Sequence, residues 1–315
     1  MKKLAIIILF SLFSIVLSSC QAYEITYTDD VPFEIEMKRD TVNILQITDL
    51  HLTYGIDKRD RDTFDLIKAL NEAETYDLIV ITGDMTMSPQ GPRIFSRLIG
   101  FMESLETPWT FVFGNHETDF NDYHEYLRRI PETEYLLFKV GPQLNDGGFG
   151  NFSIVFNQNG IPFYKLYLLD SKAEIKPIEG LEDDYGYLSL AQVNWYESHV
   201  QTDTVDSIVF MHIPLRQYIL AENYVGTFRE KRVYAQSIDT GFFDAMVYHG
   251  RSKAVFVGHD HLNDFYFYLS GIMLAYGRAT GYNGYGDLEK GGRFIRIDAS
   301  GTLSTGIISG SEVRS

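Results

Sequence analysis

Five short segments of this 315-residue chain carry side chains of the types that bind metal ions: Asp49-Leu50-His51, Gly83-Asp84, Gly114-Asn115-His116-Glu117, His212, and Gly258-His259-Asp260-His261. Each taken alone has a plainer explanation, as a loop tripeptide, a glycine turn or a packed imidazole before Ile213-Pro214. Their joint occurrence points instead to one shared site. Five of the eight histidines fall inside these segments, and the other three, His124, His199 and His249, have no such companions and read as structural. Cys20 is the only cysteine, so the body of the chain has neither a disulfide nor a thiolate ligand. Imidazole, carboxylate and amide donors suit zinc, manganese or iron.

The elements that must position these donors are legible as an alternation of short apolar runs and amphipathic stretches, which predicts an α/β fold. Strands are expected at Val42 to Thr48, Asp77 to Thr82, Trp109 to Phe113, Phe152 to Phe156, Phe163 to Leu169, Ser207 to Met211 and Ala254 to Val257. Further short ones are expected at Phe265 to Leu269, Ile272 to Ala275 and Phe294 to Ile297. Helical spacing marks Thr63 to Glu74, Arg93 to Leu105 and Leu190 to Val200. Every donor segment directly follows a predicted strand, and loops at one end of a sheet converge in space. In an extended segment Asp49 and His51 would project to the same side, and His259 and His261 would repeat that geometry.

The N-terminus reads differently. Lys2 and Lys3 precede an apolar run from Leu4 to Leu17, which is too short to span a bilayer but fits an export signal. The small residues before Cys20 resemble a bacterial lipobox, which implies a signal peptide over 1–19 and an acylated Cys20 holding an exported lipoprotein on the periplasmic or cell-surface side of a membrane. Residues 20–40 are expected to form a tether, and 41–315 a single domain. Without Lys2 and Lys3 the formal net charge falls from −16 to −18, so a nucleic-acid partner is not expected.

The blocks ITDLH, ITGDM, FGNHE, FMHIP and VGHDH resemble the calcineurin-like metallophosphoesterase superfamily over about Val42 to Ile297. FMHIPL, VGHDHLNDF and YGRATGYNGYG are similar to a branch that includes fungal phosphatases and plant proteins grouped near the purple acid phosphatases. The resemblance implies a two-sheet β-sandwich flanked by helices, a four-layer α/β-β/α arrangement. It also implies two divalent metal ions (Mn, Zn or Fe), with Asp49, His51 and His261 on one and Asn115, His212 and His259 on the other. Asp84 would bridge them, one carboxylate oxygen to each, at a separation of about 3.5–4 Å. A shared hydroxide would attack phosphorus, and the cluster's charge of about +1 would draw a phosphate into an acidic protein. His116 is the implied catalytic residue, protonating the leaving oxygen, with Glu117 or another carboxylate orienting it. Purple acid phosphatases place a tyrosine ligand three positions after the bridging aspartate; Met87 stands there in this chain, which predicts a colourless protein.

The expected activity is hydrolysis of a small phosphate monoester. A cyclic-nucleotide or glycerophosphodiester phosphodiesterase is the alternative, and a non-catalytic lipoprotein that binds phosphorylated ligands is the reading from another class. Arg93, Arg216 and Arg278 are candidates for holding phosphate oxygens. Tyr218 to Thr240 could cover the site as a lid, and Asn283-Gly284 suggests a turn at its rim.

Overall fold

The computed structural model describes residues 25–146, 148–181 and 184–314. The predicted signal segment and Cys20 lie outside these residues; among them, no helix is long and apolar enough to cross a membrane. Two sheets organise the chain. The seven-stranded sheet contains β1 (Phe33–Glu36), β5 (Phe152–Gln158), β6 (Ile161–Leu168), β7 (Ser207–Phe210), β8 (Ser252–Val257), β9 (Tyr266–Leu269) and β10 (Ile272–Tyr276), in the order β1-β5-β6-β7-β8-β10-β9. The five-stranded sheet contains β2 (Val42–Ile47), β3 (Leu78–Thr82), β4 (Trp109–Val112), β11 (Gly291–Ile297) and β12 (Leu303–Ser309), in the order β12-β11-β2-β3-β4.

Every residue of β2, β3 and β4 is buried, which is why these strands read as unbroken apolar runs. Their inner faces (Ile44, Val80, Val112) pack against Ile154, Leu166, Phe210 and Phe256 of the other sheet. Helices α1 (Lys58–Ala73) and α2 (Gly91–Glu103) cover the outside of the five-stranded sheet through Phe64, Ile67, Leu70, Phe95 and Leu98. On the far side α4 (Leu190–Val200) and α5 (Phe242–His249) bury Trp195, Tyr196, Phe242 and Met246. The result is the expected four-layer arrangement. Two one-turn helices, α3 (Tyr123–Leu127) and α6 (Gly310–Val313), complete it.

The structure departs from the sequence reading in several places. The expected tether contains β1, which pairs in parallel with β5, Phe33 opposite Ile154; Phe33 and Phe152 meet edge to face at 5.9 Å. That pairing joins residues 33–36 to the body of the domain. Helix α1 starts five residues before the predicted Thr63, because Asp57 caps it by accepting from the Asp60 amide; its first turn is too polar to betray a helix. Helix α5 and strand β12 were not expected. Strand β12 is partly exposed along most of its length and, among the described residues, pairs only with β11, so it lacks the apolar run of a central strand.

Candidate metal centre

The donor segments emerge from the carboxyl ends of five strands, β2, β3 and β4 in one sheet and β7 and β8 in the other. The two sheets therefore meet at this end, and the side chains converge. Asp49, His51, Asp84 and His261 form one group with potential ligand atoms all within 4.8 Å of one another; Asp84, His212 and His259 form a second. All of these residues are buried. Asn115 joins the second group, its Oδ1 lying 3.1 Å from His212 Nε2. His51 Nε2 and His261 Nε2 face each other at 2.9 Å. His124, His199 and His249 lie elsewhere, packed on Phe149, 3.1 Å from Asp30 and 3.5 Å from Glu197 respectively.

The expected extended geometry is not how the backbone aims these side chains. Asp49, His51, Asp84 and His259 all have positive φ, between 46° and 80°. Such a conformation is uncommon for a residue with a Cβ, though Asp, Asn and His tolerate it best. The turns are held open by cross-loop bonds: the His51 amide donates to Asp84 O at 2.9 Å and the Gly281 amide to Asp49 O at 3.1 Å. Gly83 is also left-handed, and a Cβ there would sit 2.5 Å from His212 Nδ1.

Asp84 occupies the junction of the two groups. Its Oδ1 accepts from the His116 amide at 3.0 Å. Its Oδ2 lies 3.2 Å from His212 Nε2, 3.6 Å from His51 Nε2 and 4.0 Å from His116 Nε2. A single oxygen therefore faces both groups, in place of the one-oxygen-each arrangement expected from sequence. His212 donates from Nδ1 to Thr82 O at 2.7 Å, which fixes the ring and presents Nε2 to the centre.

Burial holds His51, His259 and His261 below the usual imidazole range, leaving them as neutral lone-pair donors. Burial acts against charge on Asp84 and His212 too, but their mutual attraction prevails, lowering the acid and raising the base. Burial pushes Asp260 up to about 8. Among the described residues, neither Asp49 nor Asp84 forms an ion pair with Lys or Arg. Two buried carboxylates without such a partner, three neutral imidazoles and an amide oxygen are a donor set that fits divalent cations, and Asp84 is shared between its two halves.

His116 is half-buried, and its Nδ1 lies 2.7 Å from Asp119 Oδ2. Asp119 is thus the carboxylate that orients it, three residues on across a tight 3-10 turn that the sequence did not signal. Glu117 has a different part. Its carboxylate accepts from the Met85, Thr86 and Gly114 amides at 2.6, 3.1 and 2.7 Å and ties the β3 and β4 loops together.

A cleft of about 350 Å³ opens over the cluster, lined by Asn115, His116, His259 and His261 and then by Glu174, Tyr185, Glu230, Tyr234, Asp260 and Tyr285. None of the three candidate arginines lines it. Arg93 borders a separate depression beside Asn121, Arg216 donates to Gln236 O and Ser237 O, and Arg278 pairs with Asp264. The expected lid contributes Glu230 and Tyr234.

Residues 42–263 match the calcineurin-like phosphoesterase family, and the chain belongs to that family. It is 29% identical over 303 residues to a protein of Arabidopsis thaliana named probable inactive purple acid phosphatase 14, covering 81% of this chain and 74% of the relative. A probable cyclic nucleotide phosphodiesterase of Psychrobacter arcticus is 33% identical over a shorter stretch of 88 residues, 24% of this chain and 31% of that protein. Among solved structures, a dimetal phosphatase from Danio rerio shares the fold with a TM-score of 0.55 at 13% identity, over 85% of this chain and 98% of that one.

Proposed function

We propose that the chain is a binuclear-metal phosphomonoesterase. The observation that carries this reading is Asp84 Oδ2, which faces two groups of buried donors at once with His116 Nε2 beside it. Asp49, His51 and His261 would hold one cation, Asn115, His212 and His259 the other, and Asp84 both. Bound divalent cations would supply Lewis acidity toward the phosphoryl oxygens and a water acidic enough to ionise near neutral pH. The protein's own part is to keep His51, His259 and His261 unprotonated, to orient His212 through Thr82 O, and to aim His116 through Asp119. Hydrolysis breaks the bond from phosphorus to the alcohol oxygen, and His116 gives that oxygen its proton while water supplies the new oxygen on phosphorus.

The Arabidopsis relative carries the name probable inactive purple acid phosphatase 14. Activity of this chain is supported by its complete donor set, since Asp49, Asp84, Asn115 and all four histidines are present and gathered. Met87 in place of a tyrosine supports a colourless centre of manganese, zinc or ferrous iron. Export with an acylated Cys20 belongs to the same proposal.

The test combines elemental analysis with assays on 4-nitrophenyl phosphate and its bis-ester. About two metal ions per chain and preference for the monoester are expected, and bis-ester preference would make the enzyme a phosphodiesterase. Asp84→Ala should lose both metal and turnover. His116→Ala should keep metal and lose turnover by about 10²–10⁴-fold. A chain that binds metal but cleaves neither ester would be a binding protein.

A further inference from the structure

The wall of the cleft beyond the donors has an unusual make-up for a protein that handles phosphate esters. It presents three acidic side chains, Glu174, Glu230 and the buried Asp260, and three tyrosine rings, Tyr185, Tyr234 and Tyr285, and no lysine or arginine among the described residues that line it. The rings are built onto the donor set. Tyr285 stacks on His261 with centroids 4.2 Å apart, and Tyr185 meets His259 edge-on at 4.5 Å and Tyr234 at 6.4 Å. Glu230 is held in place, its Oε1 accepting from the Tyr285 hydroxyl at 2.5 Å and the Leu262 amide at 3.2 Å. An isolated antiparallel bridge sets Glu174 opposite Tyr185. Asp260, buried in the same lining, keeps its Oδ1 without a hydrogen-bond partner. The Arg232 guanidinium packs on Tyr234, 5.0 Å from the ring centroid.

Resting on the phosphoesterase reading, we propose that the cleft selects phosphate esters of a cationic amino alcohol, with the phosphoryl group at the metal centre and the ammonium between the tyrosines and Glu230. Aromatic faces attract ammonium groups through the ring quadrupole, and most strongly where water is displaced. Carboxylates at the same wall add attraction and repel leaving groups that carry further phosphates or carboxylates. Glu230 is the specificity-determining residue, with Glu174, which lines the same cleft, reinforcing it.

The experiment compares phosphocholine with 3,3-dimethylbutyl phosphate, its neutral isostere, on the metal-loaded enzyme in an amine-free buffer. The expected result is a kcat/KM at least tenfold higher for phosphocholine at low ionic strength, shrinking with added salt. In Glu230→Gln, and to a smaller degree in the exposed Glu174→Gln, the ratio should fall toward one. Equal rates, or preference for the isostere, overturn the inference while leaving the phosphoesterase reading intact. If neither ester is cleaved, that reading fails instead. Calorimetric titration of choline chloride into the metal-free protein then decides: saturable binding weakened by Glu230→Gln upholds the cationic subsite, and no binding overturns it.

Discussion

Glu117 offers a way to loosen the centre without removing a donor from it. The Met85 and Thr86 amides share its Oε1, the Gly114 amide takes its Oε2, and all four residues are buried. Glu117→Ala would leave three buried N–H groups without an acceptor. At about 1–3 kcal/mol for each such group, and allowing for water entering the space left behind, the loss should be about 3–5 kcal/mol. Glu117→Gln keeps one oxygen for Met85 and Thr86 and turns an NH₂ toward Gly114. It should lose one charge-assisted bond, about 1.5–3 kcal/mol. An opposing effect exists, because burial and the nearby Asp84 push Glu117 up to about 7, so removing its charge relieves a penalty. That relief is common to both variants, and the difference between them isolates the hydrogen bonds. Urea unfolding in a chelator at one fixed pH measures the difference, expected from the midpoints of the two ranges to be about 2 kcal/mol in favour of Gln. Metal titration should show the same order, since the clamped loops carry Asp84 and Asn115. Equal losses for the two variants would refute the clamp.

Gly284→Ala would place a Cβ 2.6 Å from His261 Cε1 and 3.2 Å from His51 Cδ2. Metal content should fall by about one ion per chain with little change in circular dichroism, and full occupancy would show that the rim yields instead. Chelation should abolish turnover and greatly weaken binding of inorganic phosphate, because no lysine or arginine among the described residues lines the cleft; calorimetry that finds phosphate binding undiminished in the metal-free chain would contradict this. Asp170, which accepts from the Phe149 and Lys172 amides, is pushed by burial from 3.8 up to about 6. Between those values the folded chain keeps a proton that the unfolded chain has released, so this group's stabilising contribution is full below about pH 4 and declines by about 3 kcal/mol as pH rises through 6. Asp170→Asn should flatten that slope in chelated protein, and an unchanged difference between pH 4 and pH 7 would count against it.

Much of the centre was legible in the sequence because its donors are of few chemical types and each follows a strand. The segments that hold Asp49, Asp84, Asn115, His212 and His259 stand out in that pattern, and the family resemblance is what singles out the individual candidate donors. The local geometry could not. A left-handed Asp49 or His51 is stabilised by carbonyls of the β3 loop, which accept from the Asp49 and His51 amides, and by the amide of residue 281, and no window of sequence contains both partners. The same holds for the shared oxygen of Asp84, whose other oxygen is taken by the His116 amide. Strand β1 is set by its pairing with β5, about 120 residues away, so its short alternating pattern resembled a linker. The arginines misled because their sequence proximity to the donors carries no information on which way a long side chain turns. Arg216 and Arg278 both turn toward acceptors outside the cleft.

A formal net charge of −16 opposes the approach of a phosphate ligand, yet the charges are not all equivalent. Surface acids are screened over about 8–10 Å at moderate ionic strength, so their repulsion fades before a small ester reaches the floor of the cleft. At the floor the only carboxylates of the donor set are Asp49 and Asp84, and the remaining donors are uncharged imidazoles and an amide when the cations are bound. Two divalent ions held there would thus outweigh their ligands, and the local field would reverse sign within a few ångströms of the acidic wall. A molecule carrying a negative phosphoryl group at one end and a positive group at the other matches both fields at once. A dianion with a neutral or anionic tail matches only the deeper one. The acidic wall that would be a liability for a general phosphatase is, on this reasoning, the part of the site that chooses the substrate.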